Sequence, residues 1–144
     1  MATIFDVARY ITERSGEVSA MKLQKLMFYS QAWHMVWEEE PLFADDFQAW
    51  ANGPVLPALY DRHRGMFKVD RSLFKDANAG NLTDEQRGDI DKVLGFYGDK
   101  TAQWLSNLTH QENPWLNARG ELPAGAASSE VIPKSAIHEY YSSL

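Results

Sequence analysis

The sequence predicts a mainly α, single compact multi-helix domain packed around one central apolar helix, with a small antiparallel β-hairpin element. Three observations carry this. "AMKLQKLMFYSQAWHMVW", from Ala20 to Trp37, is apolar around most of a helical circumference, which marks a helix central to a fold. Helix-start signals recur along the chain, at Ser19 and at Thr83 with Gln86. The remaining strand-like residues cluster around one stiff corner, "AWANGPVLPALY" from Ala49 to Tyr60.

In chain order, "FDVARYITERSG" places Phe5, Val7, Ala8 and Ile11 on one helical stripe that ends near Gly16. Ser19 caps the central helix. Its polar residues Lys22, Gln24, Lys25 and Gln31 are expected to leave through the narrow faces that remain, and Trp33 and Trp37 to pack in the core. "PLFADDF" reads as a strand with Asp45-Asp46 as a turn. Asn52-Gly53 is a hairpin signal, but Pro54 pushes its predecessor to extended conformations, so a corner longer than two residues is expected. Pro57 suits the first position of a short helix that stops at Gly65. "FKVD" reads as a brief edge strand and "DANAGN" as loop. Thr83 and Gln86 open a helix carrying Ile90, Val93, Leu94 and Tyr97. "KTAQWLSNLTH" forms a further helix, "NPW" and residues 117–127 form loop, and a terminal helix follows Pro133.

Composition narrows the function classes. The 144 residues suit one domain, and 44% apolar with 12% aromatic content supports a real core. There is no cysteine, which removes disulfides, thiolate metal sites and thiol nucleophiles. The first residues lack a signal-peptide pattern and no apolar run reaches membrane-spanning length, so a cytoplasmic protein is expected. Fourteen Lys and Arg against twenty Asp and Glu give a net charge of −6. That is the wrong sign for phosphate-backbone binding, and the right one for steering a basic protein partner.

Motifs for chemistry are few. His110 and Glu112 form an H-x-E, without the cysteines that follow it in zinc deaminases. His34 and Glu38 lie one helical turn apart, but a zinc site needs three or four ligands. No H-E-x-x-H, G-x-S-x-G, P-loop or G-x-G-x-x-G occurs. No catalytic residue, metal or cofactor is assigned. His110 reads as the end of its helix.

The segments "FDVARYI", "MKLQKLMFYSQAW", "PLFADDFQAWANGPVLPALY" and "LTHQENPW", in this order, resemble the Panacea-domain family of SocA-like and GepA-like phage-associated proteins. The resemblance spans nearly the whole chain as one domain, residues 1–144, with no added DNA-binding segment. The motif positions are Lys22, Gln24, Lys25, Trp50, Asn52, Gly53, Pro54, His110, Glu112, Pro114 and Trp115, together with Leu23, Tyr29, Gln31, Trp33, Val55 and Tyr60. The resemblance implies an antitoxin that neutralises a cognate, adjacently encoded protein toxin by direct binding, with neither nucleic acid nor membrane as partner. A second implication is an adaptor that delivers the toxin to a Clp-type protease. An alternative from another class is a hydrolase or transferase using His110 and Glu112, which needs both side chains to converge in one pocket. For the toxin contact the expected surface is Glu38, Glu39, Asp45 and Asp46 with Tyr60 and Arg64 of the helix after Pro57.

Overall fold

The computed structural model describes residues 2–144. Seven α-helices are found among them: α1 (Ile4–Ser15), α2 (Ala20–Glu38), α3 (Pro57–His63), α4 (Asp84–Tyr97), α5 (Ala102–Thr109), α6 (Asn113–Arg119) and α7 (Lys134–Ser142). The helix starts follow the sequence signals. Ser19 accepts from the Lys22 N–H, Thr83 and Gln86 form a reciprocal capping box, and Pro57 opens α3. Helix α2 packs against α1, α4, α5 and α7, so the mainly α architecture has the central helix its composition implies.

The β element is larger than one hairpin. Strands β2 (Phe47–Trp50) and β3 (Gly53–Val55) pair antiparallel, and β5 (Val131–Ile132) joins the other edge of β2. A separate pair joins β1 (Val18–Ser19) to β4 (Lys68–Val69). The turn at the corner corrects the sequence expectation. Trp50 faces Gly53 across a two-residue turn, Ala51-Asn52, rather than a longer corner. Neither turn residue has positive φ; that geometry falls on Gly53, at φ 118°. Lacking a Cβ, Gly53 escapes the clash that Pro54 imposes on other residues. Pro54 sits opposite Ala49, whose N–H turns away to the Glu130 carbonyl of the β5 side, so its missing donor breaks no ladder bond.

Three further expectations are corrected. Residues 42–46 are not strand: Leu42 and Phe43 are buried in a loop held by Gln31, whose Oε1 accepts from Leu42 N at 2.7 Å while Nε2 donates to the Phe43 carbonyl at 2.9 Å. "NPW" is helical, because Pro114 occupies the first turn of α6, where a proline is tolerated. Trp37 is exposed, stacked on half-buried Trp33 at 5.7 Å, because α2 ends beyond the rim of the core.

The polar residues of α2 do not leave through narrow faces. Gln24, Lys25, Gln31 and His34 are buried. Buried polar groups must be paired, and element ends offer unpaired backbone groups to pair with. Each therefore fixes a neighbour. Lys22 Nζ donates to the Gly98 carbonyl at the end of α4, at 2.6 Å. Gln24 Oε1 accepts from Leu56 N while its Nε2 reaches the Leu56 carbonyl, which sets the start of α3. Tyr29 donates to Glu112 at 2.6 Å, Trp33 Nε1 donates to Tyr97 Oη, and His34 Nδ1 lies 2.9 Å from Asp89 Oδ2 on α4.

Candidate functional site

Helix α2 begins where α3, the β2–β3 turn and the β1–β4 pair meet. With Ala102 of α5 and residues 127–129, these elements border an open pocket of about 810 Å³. Its lining includes Gln24 and Lys25 from α2, Trp50 and Asn52 from the hairpin, and Tyr60 and His63 from α3. The two most distinctive sequence segments, "MKLQKL" and "AWANGPVLPALY", therefore converge on one cavity.

The walls are aromatic. The Trp50 and Tyr60 rings meet edge-on at 4.8 Å, Tyr60 meets His63 at 5.4 Å, and the Arg64 guanidinium lies 5.5 Å from the Tyr60 ring centre. Trp50 is held from behind: its Nε1 donates to Gln48 Oε1, and its carbonyl accepts from Trp115 Nε1 at 2.8 Å. Asn52 is held likewise, its carbonyl accepting from Ser106 Oγ at 2.7 Å. The rim is apolar and open, with Met21 37%, Met66 47% and Phe67 77% exposed.

The polar lining residues Gln24, Lys25 and His63 are buried. Lys25 is 1% exposed. Its Nζ donates to the Pro54 carbonyl at 3.2 Å, its one hydrogen-bond partner among the described residues. Burial pulls its pKa down from 10.5 to about 7, because the interior penalises the charged form. Gln24 Nε2 lies 3.0 Å from His63 Nε2, which suits a neutral imidazole accepting there. Burial, then repulsion from Lys25, keeps the His63 pKa below its usual range.

The other motif residues serve the scaffold behind the pocket. His110 ends α5 and stacks on Trp115, ring centres 4.2 Å apart. Its Nε2 is buried without a hydrogen-bond partner among the described residues, and burial lowers its pKa. Glu112 Oε1 accepts from Tyr29 and Tyr141 at 2.6 and 2.7 Å, joining α2 and α7 to the α5–α6 junction. Burial raises the Glu112 pKa, against the lowering effect of both hydroxyls. Neither His110 nor Glu112 lines the pocket. Pro114 is buried in the first turn of α6.

The acidic residues singled out in the sequence lie elsewhere. Glu38 and Glu39 sit at the far end of α2, about 20 Å from Gln24 along the helix axis. Glu39 pairs with His138 at 2.7 Å and Asp46 with Lys134 at 2.6 Å, while Asp45 is exposed. Tyr60 and Arg64 belong to the pocket instead. His34, Glu38 and Asp89 offer ligand atoms within 4.8 Å of one another, the grouping among the described residues that could hold a metal. Asp89 is the third group that the sequence did not reveal. There His34 Nδ1 is occupied by Asp89, and Lys92 Nζ stands 3.9 Å from Asp89 Oδ1.

Sequence reasoning missed the rim residues Met66 and Phe67, and His63. An apolar pair directly after the helix stop at Gly65, with no periodic partner, is the available signal. It also missed Arg119, which is 4% exposed and donates to the Ala49, Pro123 and Ala126 carbonyls. One guanidinium thereby ties residues 123–126 to β2, just before Ala127–Ser129, which form a pocket wall.

Comparison with known proteins places the chain beside a family model and a curated relative. The family model "Antitoxin SocA-like, Panacea domain" matches residues 23–116, which takes in most of the pocket and the Glu112 junction. Antitoxin SocA of Caulobacter vibrioides (strain NA1000 / CB15N) is 28% identical over 110 residues, covering 68% of this chain and 58% of the relative. The chain thus spans less than two thirds of that relative's length. No solved structure matches.

Proposed function

This chain belongs to the antitoxin SocA-like, Panacea-domain family, and from that premise we propose that it neutralises a cognate protein toxin by direct binding. One observation supports this most: the pocket built by family-signature side chains opens through the exposed apolar rim of Met21, Met66 and Phe67. Contiguous exposed apolar surface beside a shaped cavity is what a protein partner covers. No described helix is long and apolar enough to cross a membrane, and the acidic charge disfavours nucleic acid, so the partner is read as a protein in the cytoplasm. The acidic groups Glu38, Glu39, Asp45 and Asp46 then act at a distance, raising the encounter rate with a basic toxin. Co-expression with the neighbouring gene tests the proposal. Growth arrest by that gene alone, relieved by this protein, is expected; a harmless neighbour, or arrest that persists, overturns it.

A second reading, an adaptor for a Clp-type protease, is favoured by a separate apolar ridge. Exposed Trp37 and Phe96 with half-buried Trp33 border a shallow hollow of about 270 Å³ between α2 and α4. An adaptor needs two surfaces, and this ridge lies on the half of α2 remote from the pocket. Rescue that persists in a Clp-deficient host removes this reading.

A further inference from the structure

The charges around the pocket run against those of the chain. The chain carries twenty Asp and Glu, yet none lines the pocket; the charged residues that do are Lys25 and Arg64. Arg64 reaches Asp61 at 3.8 Å across an exposed surface, where screening leaves such a pair little strength. Lys25 is the unusual group. An amine with three possible donors is buried on the floor against a single neutral carbonyl. Charging such an amine in the interior without a counter-charge is costly, and an arriving carboxylate supplies both the counter-charge and the missing acceptors. His63 adds no counter-charge, since an imidazole is neutral or cationic, and its Nε2 faces Gln24. Around this floor the rim is apolar.

Resting on the antitoxin reading above, we propose that the pocket receives a toxin segment bearing one carboxylate flanked by apolar side chains, with the carboxylate meeting Lys25 and the apolar groups covering Met21, Met66 and Phe67. Overall charge and anchor then play opposite parts. The acidic surface gathers a basic toxin, and the pocket selects one acidic anchor within it. A basic anchor is disfavoured because it meets Arg64 and finds no carboxylate in the lining.

Titration of the full chain with three acetylated, amidated tripeptides, Leu-Phe-Asp, Leu-Phe-Asn and Leu-Phe-Lys, tests the chemistry without a toxin. The Asp peptide is expected to bind about tenfold or more tighter than the Asn peptide, with the Lys peptide weakest. Lys25→Met should abolish the Asp-over-Asn preference. Phe67→Ser, at an exposed position that leaves folding intact, should weaken the Asp and Asn peptides alike. Equal binding of the Asp and Asn peptides, tighter binding of the Lys peptide, or no binding at all overturns the proposal. Co-expression separates the two readings. If wild type relieves toxicity and both variants relieve it equally well, the pocket proposal falls and the antitoxin reading stands. Asp selectivity in a protein that relieves no toxicity removes the toxin as the source of the carboxylate.

Discussion

Lys25 and Gly53 occupy space that only glycine leaves open: a Cβ placed on Gly53 would lie 2.5 Å from Lys25 Cε and 2.9 Å from Thr109 Oγ1. The lysine stem thus crosses the hairpin at its one residue without a side chain, at φ 118°. Gly53→Ala combines an unfavourable backbone conformation with a steric clash, and is expected to destabilise by about 2 kcal/mol or more. Urea denaturation checks this; an unchanged midpoint would show that the crossing can relax.

Lys25 also sets a dependence of stability on pH. In the folded chain its proton leaves near pH 7, in the unfolded chain near 10.5. Between these values the unfolded state carries the extra proton, so raising the pH favours the fold. Wild type should therefore gain stability from pH 7 to pH 9 relative to Lys25→Met. His63 and His110, the nearby imidazoles, have pKa values below 6.5 and stay neutral across that window. Parallel urea midpoints for the two proteins across this range would refute the prediction.

Two hydroxyls on one carboxylate oxygen make a coupled unit. Tyr29→Phe and Tyr141→Phe should each cost about 1.5–3 kcal/mol, the range for hydrogen bonds to a charged group. The double variant should depart from the sum, because both phenols serve the same acceptor. Additive thermal unfolding energies would argue against a shared Glu112.

The two tryptophans of the corner should separate by burial. Trp115 is 5% exposed, and Trp115→Ala is expected to cost about 3–5 kcal/mol. Trp50 is half-buried as a pocket wall, so Trp50→Ala should cost less in stability while weakening partner binding. Equal stability losses would place both rings in the scaffold.

Charge reversal at Glu38, Glu39, Asp45 and Asp46 should slow association with a basic toxin and flatten its salt dependence, with the dissociation rate little changed. Stopped-flow association at low and high salt reads this directly. An unchanged association rate at low salt would confine these residues to solubility and to their contacts with His138 and Lys134.

Six of the seven described helices were legible in the sequence because their start and stop chemistry is local; α6, read as loop, was not. Ser19, Thr83 with Gln86, and Pro57 each act within one turn. The site was half legible: the corner and the "MKLQKL" segment were conspicuous, but nothing local shows that they share a cavity. Burial of Gln24, Lys25 and Gln31 was read wrongly because helical periodicity counts polarity, whereas these residues bond to backbone groups 11 to 32 positions away. Strand β5 was invisible for a related reason: two residues carry no alternation, and only β2 gives Val131 and Ile132 their partners.

Tyr141 on α7 reaches back to Glu112 and, through it, to Tyr29 near the middle of α2. In synthesis that order has a cost in time. Until α7 has emerged from the ribosome, α2 lacks one of its neighbours, and Glu112 has one phenol instead of two. Closure waits for Tyr141. A cut in the chain between α6 and α7 would reverse that step first, so the lifetime of the intact fold is tied to that connection.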